Sequence, residues 1–452
     1  MTSKLPTKAT IFAPATAPGK APIAVVRVSG PEARAAIRNL TGREPPPPRQ
    51  AGLRRLTAPD GSLAGERIDD ALVLWFPGPR SETGEDMAEF HLHGGRAVVA
   101  ATLAALAAMP GLTPAARGAF TRQAFDNGKL DLTAAEAIAD LVEAETAAQR
   151  RQALRQMDGA LAKLYEGWRT GLLELLARLE AAIDFPEEDL PAGLIAETGA
   201  AIAALQEEIA THLGDRRGER LREGLSIALL GAPNAGKSSL LNYLAGRDAA
   251  IVSARAGTTR DVIEVHLDIA GFPVMLADTA GLSEVTDEIE AEGVRRARAR
   301  AEHADLKLIV LDGATWPAID PASAAMIDQD SLVLVSKADL EASIPAERLI
   351  AGQPALAISV VTGQGTDELL AVLRAEVTAR MSPGEAPALT RLRHRQALEE
   401  CRAALERARN ADLPELQAED LRLATRALGR ITGRVDVEEI LDRIFSEFCI
   451  GK

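Results

Sequence analysis

With 452 residues, 47% of them hydrophobic and 26% charged, the chain is long enough for about two to four domains with cores of their own, and it is not a disordered polypeptide. Two cysteines, Cys401 and Cys449, exclude a disulfide framework and a cysteine-based zinc site; no run of ~18 apolar residues and no apolar leader at MTSKLPTKAT occurs, so a cytoplasmic location is expected. A formal net charge of −14 excludes nucleic-acid binding over the whole surface by counterion release, and any RNA contact must use local basic patches.

From the N-terminus, Pro22–Gly30 and Ala71–Phe76 read as strands rich in Val, Ile and Leu, with Pro45–Pro48 an extended linker between them. Met87–His93 alternates, placing Met87, Glu89, His91 and His93 on one face and Ala88, Phe90 and Leu92 on the other. The polar face is either a solvent face or one shown to a ligand. His91 and His93 are spaced to share a metal, but no third ligand accompanies them. Gly94-Gly95 turns the chain into the helix-like stretch Val98–Met109.

Helical character takes over after Asn127-Gly128-Lys129, where Thr133 and Glu136 have the spacing of a capping box. Leu161, Leu164, Trp168, Leu172, Leu175 and Leu179 then form an amphipathic stripe, the mark of a core face. After a break at Asp184–Pro191, a second helical stretch runs to about His212, and Arg216–Arg222 leads into a strand.

That strand, Leu225–Leu230, is followed by GAPNAGKSS at Gly231–Ser239 and by a helical segment, Leu240–Leu244. The pattern G-x-x-x-x-G-K-[ST] is met by Gly231, Gly236, Lys237 and Ser238. Glycines let the backbone wrap a phosphate closely, so that the N–H groups of Asn234, Ala235, Gly236, Lys237, Ser238 and Ser239 point inward at the positive end of a helix. Lys237 reaches for the β- and γ-phosphates, and the Ser238 hydroxyl for a Mg²⁺ that prefers oxygen ligands.

Three later stretches select the nucleotide. Asp278, Thr279, Ala280 and Gly281 end the apolar run Val274–Ala277, as suits an acid holding Mg²⁺ through water and a glycine sensing the γ-phosphate. Ser336, Lys337, Ala338 and Asp339 follow Leu332–Val335; the aspartate can accept from guanine N1–H and the 2-amino group, a donor pair that adenine lacks. Ser359, after the next strand, is placed for a loop at the base. Together these resemble the five signatures of Ras-like GTPases, with Ser336 replacing the usual asparagine of N-K-x-D. That change removes an amide and bears on base affinity rather than base identity.

Leu282 stands where Ras-like enzymes carry the glutamine that orients water, a task leucine cannot do. Thr259 in GTTRD is the natural γ-phosphate and Mg²⁺ sensor. Arg255 and Arg260 are arginine sources of stabilising charge. The loop Ser382–Pro387 ends the nucleotide domain, and helical pattern resumes with Leu398, Cys401 and Leu405 on one face. The simplest arrangement is a nucleotide domain inserted into a helical domain.

The segments GAPNAGKSSLLNYLAGRDAAIVSARAGTTRDV, DTAGL and DNGKLDLTAAEAIADLV, with the tail FCIGK, resemble the tRNA-modification GTPases of the MnmE, or TrmE, family nearly end to end. The resemblance implies an α/β P-loop GTPase (Ras-like) domain at 221–379, inserted into an α-helical domain at 122–220 and 380–452. It also implies an N-terminal α+β domain at 1–121 that binds tetrahydrofolate and dimerises. The implied activity is GTP-driven modification of C5 of the wobble uridine of certain tRNAs. A homodimer would work with the FAD-containing MnmG as a heterotetramer, using 5-formyl- or methylene-tetrahydrofolate, and would not engage a membrane.

By the same resemblance, K⁺ is held by the Asn234 side chain and the loop Ser253, Ala254, Arg255, Ala256, Gly257 and Thr258; from the sequence alone, Arg255 or Arg260 is the arginine alternative. Glu290 positions the attacking water; without the resemblance it reads as one acid among Glu284, Asp287, Glu288 and Glu292. Glu89 would take the pterin, and Arg27, Lys129 and Lys452 the glutamate tail. Cys449 is either part of the modification chemistry or a small residue near the pocket. The segment Ala116–Phe120, ARGAF, departs from the family's R-P-G-E-F. A ribosome-assembly GTPase is the alternative class, for which a basic RNA-binding module is expected in place of the FCIGK tail and the extra N-terminal domain.

Overall fold

The computed structural model describes residues 9–59, 64–184, 194–247, 264–278, 304–340, 349–382, 384, 387–435, 438–446 and 448–451. The chain divides into two compact units. One comprises Met1–Ala139, Tyr165–Arg169 and Arg426–Lys452, and the other Asp140–Leu164 and Thr170–Thr425.

The first unit is built on a six-stranded sheet of β1 (Thr10–Pro14), β2 (Ile23–Ser29), β3 (Gly52–Thr57), β4 (Arg67–Phe76), β5 (Met87–His93) and β6 (Leu112–Pro114), in the order β3-β4-β5-β2-β1-β6. All pairs are antiparallel except β1 with β6. Helices α1 (Ala33–Thr41) and α2 (Arg96–Ala107) supply apolar side chains to one face, where Val26, Val28, Ile37, Leu40, Val73, Phe90 and Leu106 are buried. Each such side chain contributes about 1.5–3 kcal/mol. The alternation in β5 sends Ala88, Phe90 and Leu92 into this core and leaves Glu89, His91 and His93 on the other face.

Helix α3 (Ala119–Asp126) and α4 (Leu132–Glu143) follow. The expected Thr133 capping box is not how α4 begins. Asp131 Oδ1 accepts from the Thr133 and Ala134 amides at 2.8 and 3.1 Å, and from the Thr133 hydroxyl at 2.6 Å. A carboxylate two residues earlier outcompetes the hydroxyl because it accepts several bonds at once and is favoured by the helix dipole. Leu132 and Ala135 pack with Leu441, Ile444, Phe445 and Phe448, joining the C-terminal helix Glu438–Ser446 to this unit.

In the second unit, α5 (Ala147–Met157) opens with a capping box the sequence reading missed, Thr146 with Gln149. It is followed by α6 (Ala160–Asp184), of which Tyr165–Arg169 belongs to the first unit, and by α7 (Leu194–Gly214) and α8 (Arg217–Glu223). Along α6 the buried positions are Leu161, Tyr165, Trp168, Leu172, Leu176 and Leu179. Leu164 and Leu175 of the expected stripe are only half-buried, displaced from the centre of that face by Tyr165 and Leu176.

A seven-stranded sheet comes next: β7 (Leu225–Leu230), β8 (Glu264–Ile269), β9 (Phe272–Asp278), β10 (Leu306–Asp312), β11 (Ser331–Ser336), β12 (Leu349–Ile350) and β13 (Gln353–Ala357), in the order β12-β13-β11-β10-β7-β9-β8. The five inner strands are parallel, and β8 and β12 are antiparallel edges. Parallel strands are buried on both faces, which is why β7 and β10 are nearly continuous apolar runs, interrupted only by Ser226 and by Lys307 before the closing Asp312. Leu229, Leu276, Leu308 and Leu334 face one core, and Leu230, Ile309, Val333 and Val335 the other.

The helix Leu392–Asn410 then packs on α7, burying Leu398, Cys401 and Leu405 as the sequence implied. Arg395 grips Glu219 at 2.9 and 2.7 Å and the Leu213 carbonyl at 2.8 Å, while Gln156 donates to Thr390 at 2.7 Å. Helices before and after the sheet are thereby joined, so the α/β nucleotide fold is an insertion.

Candidate functional site

The phosphate loop is set by backbone geometry at the carboxyl end of β7, where ligands of open α/β sheets bind. Gly231 has φ +143°, and a Cβ there would lie 2.1 Å from the Val310 carbonyl oxygen, so no other residue fits between β7 and β10. Asn234 and Gly236 also turn left-handed, at φ 62° and 95°. Asn234, Ser238 and Ser239 are exposed, Ala235 is buried, and α9 (Lys237–Arg247) begins at the lysine. The Lys237 ammonium curls back to donate to the carbonyls of Gly231 and Ala232, both at 2.9 Å. This loop of amides and one cation, at a helix N-terminus and with no room for a Cβ at its entry, fits a phosphate chain.

Beside it lies a cavity of about 320 Å³ lined by Gly236, Ser239, Ser336, Lys337, Asp339 and Ser359. The structure therefore brings together the three loops that the sequence assigned to phosphates and base. Ser336 Oγ donates to the Ala235 carbonyl at 2.6 Å and also lies 3.1 Å from the Leu311 carbonyl, tying the base loop to the phosphate loop. Lys337, at φ 53°, pairs with Asp312 Oδ2 at 2.7 Å. Asp312 ends β10 and was not anticipated, although its place at the end of the run LKLIVLD is the signal that finds it. The Ala338 amide donates to the Ile358 carbonyl at 3.1 Å. Ser359 is buried and its Oγ accepts from the Thr362 amide at 3.2 Å. Asp339 is exposed at the cavity wall.

Ser253, Ala254, Arg255, Ala256, Gly257, Thr258, Thr259, Thr279, Ala280, Gly281, Glu290 and Lys452 lie outside the described residues, and Asp278 is described only as the last residue of β9.

On the face of the first unit's sheet opposite α1 and α2, Arg27 and Glu89 are direct cross-strand partners. Their side chains pair at 3.0 and 3.2 Å, with Arg27 also meeting Glu82 at 2.9 Å and Glu89 meeting His91 at 3.2 Å. The guanidinium lies 5.8 Å from the centre of the buried Phe120 ring. The expected pterin acid and one expected carboxylate-binding cation thus form a single unit, with Glu82 a member that the sequence did not reveal. Lys129 is exposed and donates to the Pro79 carbonyl at 3.0 Å. His93 pairs with Asp69 at 2.7 Å rather than sharing His91's partner. Among the described residues no cluster of three or more His, Cys, Asp or Glu is arranged for a metal.

The C-terminal tail returns to this unit. Ile450 bridges Arg117, the Gly118 amide donates to the Cys449 carbonyl at 3.5 Å, and Gly451, at φ 99°, approaches so closely that a Cβ would lie 2.1 Å from the Pro14 carbonyl oxygen. Within ARGAF it is Gly118 that the packing requires: at φ 66°, a Cβ would sit 2.7 Å from the Phe445 carbonyl oxygen. Cys449 is exposed, whereas burial pushes the Cys401 thiol up to about 12 and leaves it inert as a nucleophile.

Residues 132–449 match the model of the MnmE helical domain, and residues 10–129 that of the GTP-binding protein TrmE N-terminus. The tRNA modification GTPase MnmE of Paramagnetospirillum magneticum is 59% identical over 98% of this chain and 99% of its own. The proteins of the same description from Rhodospirillum rubrum and Parvibaculum lavamentivorans are 57% and 56% identical, each over 98% of this chain and over 99% and 100% of their own.

Proposed function

That this chain belongs to the MnmE family of tRNA modification GTPases is the premise from which we propose how its residues act. It hydrolyses GTP in the service of tRNA modification. The finer assignment is C5 of the wobble uridine, with an FAD-containing MnmG partner in a heterotetramer, a reduced folate as one-carbon donor, and a homodimer of this chain in the cytoplasm. No described helix is long and apolar enough to cross a membrane.

The observation that supports this best is the meeting of phosphate loop and base loops, tied by Ser336 to Ala235 at 2.6 Å, around one cavity. Lys237 exchanges the two carbonyls it now holds for phosphate oxygens, so the loop's own geometry keeps the ammonium close to where it is needed. Ser238 supplies a hydroxyl at the head of α9, and Asn234 an exposed amide held out by its left-handed backbone. Bound Mg²⁺ and K⁺ would offset charge developing on the phosphates. Thr259 senses the γ-phosphate and Glu290 orients water. Asp339 selects guanine through N1–H and the 2-amino group. In the first unit, Glu89 accepts from the pterin while Arg27, Lys129 and Lys452 serve the glutamate tail, and Cys449, exposed in the tail, takes a part in the modification chemistry.

Hydrolysis rates in matched K⁺ and Na⁺ buffers test the cation assignment. K⁺ should raise the rate strongly, and Asn234→Ala should abolish the difference; equal rates would sink it. Wobble-uridine analysis in a deletion strain carrying this chain tests the rest, and unmodified tRNA would overturn the pathway assignment.

A further inference from the structure

We propose that this protein binds guanine without reading N7 through the side chain that begins its base loop, because Ser336 spends its only proton inside the protein. The inference rests on the GTP-binding reading above and deepens it. Guanine presents two edges. One carries the N1–H and 2-amino donors, for which Asp339 is the acceptor; the other carries O6 and N7, both acceptors, which require donors. A base whose donor edge meets Asp339 turns its acceptor edge to the rest of a wall that includes Ser336, Ser359 and the turn after it.

A serine hydroxyl has one proton and two lone pairs. Both neighbours of Ser336 Oγ, the Ala235 carbonyl at 2.6 Å and the Leu311 carbonyl at 3.1 Å, are acceptors. Whichever of them takes the proton, none remains for N7, and only lone pairs face the base. An amide at this position has two N–H groups and could hold the phosphate loop with one and a base acceptor with the other. The Lys337 ammonium is held by Asp312 at 2.7 Å. Ser359 Oγ accepts from the Thr362 amide at 3.2 Å and keeps its own proton, which goes to O6. Val360 and Val361, in the turn that follows Ser359, line the same cavity, and O6 is the acceptor this turn serves. Base identity is thus kept by Asp339 and the Ser359 turn, and Ser336 holds two loops together without touching the base.

The test is equilibrium binding of GTP and 7-deaza-GTP to the full chain, the second replacing N7 by a carbon and leaving O6 and the donor edge intact. The two should bind within about 2-fold of each other, since no hydrogen bond is lost. Ser336→Asn should tighten GTP by about 3- to 10-fold, the scale of one neutral hydrogen bond, without tightening 7-deaza-GTP. Ser336→Ala should weaken both equally by loosening the loop tie. A wild-type chain that binds 7-deaza-GTP about 5-fold or more weaker than GTP would overturn the inference, because that is the cost of a lost contact at N7. Failure to bind GTP at all would overturn the site assignment and the inference with it.

Discussion

Replacing Glu89 by glutamine would separate what this carboxylate does for the sheet from what it does for a ligand. Its side chain is 17% exposed and that of Arg27 13% exposed, so the pair is largely removed from water. Glu89 Oε1 takes two contacts from Arg27, at 3.0 and 3.2 Å, and Oε2 takes His91 at 3.2 Å. A hydrogen bond to a charged group is worth about 1.5–3 kcal/mol. Arg27 retains Glu82, 47% exposed, at 2.9 Å, so the loss belongs at the lower end of that range, about 1.5–2 kcal/mol. Hydrogen exchange read amide by amide should show β2 and β5 opening about 10- to 30-fold more often in Glu89→Gln. GTP hydrolysis, carried by the other unit, should not change, while reduced-folate binding should weaken. Unchanged exchange would mean that the pair is solvated and stabilises nothing. Unchanged folate affinity would return Glu89 to a solvent-face role.

Gly231→Ala should destabilise the nucleotide fold by at least about 3 kcal/mol, combining a glycine-only backbone with a clash against Val310, whereas Gly236→Ala should cost less because its Cβ would meet only the Ser336 side chain at 3.6 Å; equal unfolding temperatures for the two variants would refute this. Burial holds the His212 imidazole below its ordinary 6.5, opposed by Asp215 and reinforced by Arg395. The unfolded chain therefore binds a proton before the folded one does, and this contribution to stability is present above pH 6.5 and lost as pH falls below it. Denaturant titrations from pH 7.5 to about 5 should show that loss in the wild type and less of it in His212→Gln; identical pH profiles would dismiss His212 as its source. Thr146→Ala should remove about 1 kcal/mol by opening the α5 capping box, and thermal unfolding that is unaltered would show that the cap contributes nothing.

The parts legible from sequence were those whose physics is local. The phosphate loop is contiguous, so glycine, lysine and serine at fixed spacing state its chemistry before any folding is considered. The strands at 225–230 and 87–93 follow from apolar runs and alternation, and the face of Leu398, Cys401 and Leu405 from helical period. Local signals also failed locally where two residues competed for one role. Asp131 rather than Thr133 caps α4, and the buried stripe of α6 passes through Tyr165 and Leu176. Such contests are settled by which group packs or accepts better in place, which spacing does not encode.

What only the tertiary structure decided were pairings made across long stretches of chain. Strand register alone sets Arg27 against Glu89, 62 residues away. The fold of the sheet alone brings Ser336 to the Ala235 carbonyl, 101 residues away, so that a substitution which in sequence looked like a lost base contact proves to be a tie between loops. The seat of the tail at Pro14 and the grip of Arg395 on Glu219 are of the same kind. The physical reason is that composition and period determine which surfaces must be buried, whereas a hydrogen bond of 2.6 Å exists only once the register and the packing of whole elements have placed both of its atoms.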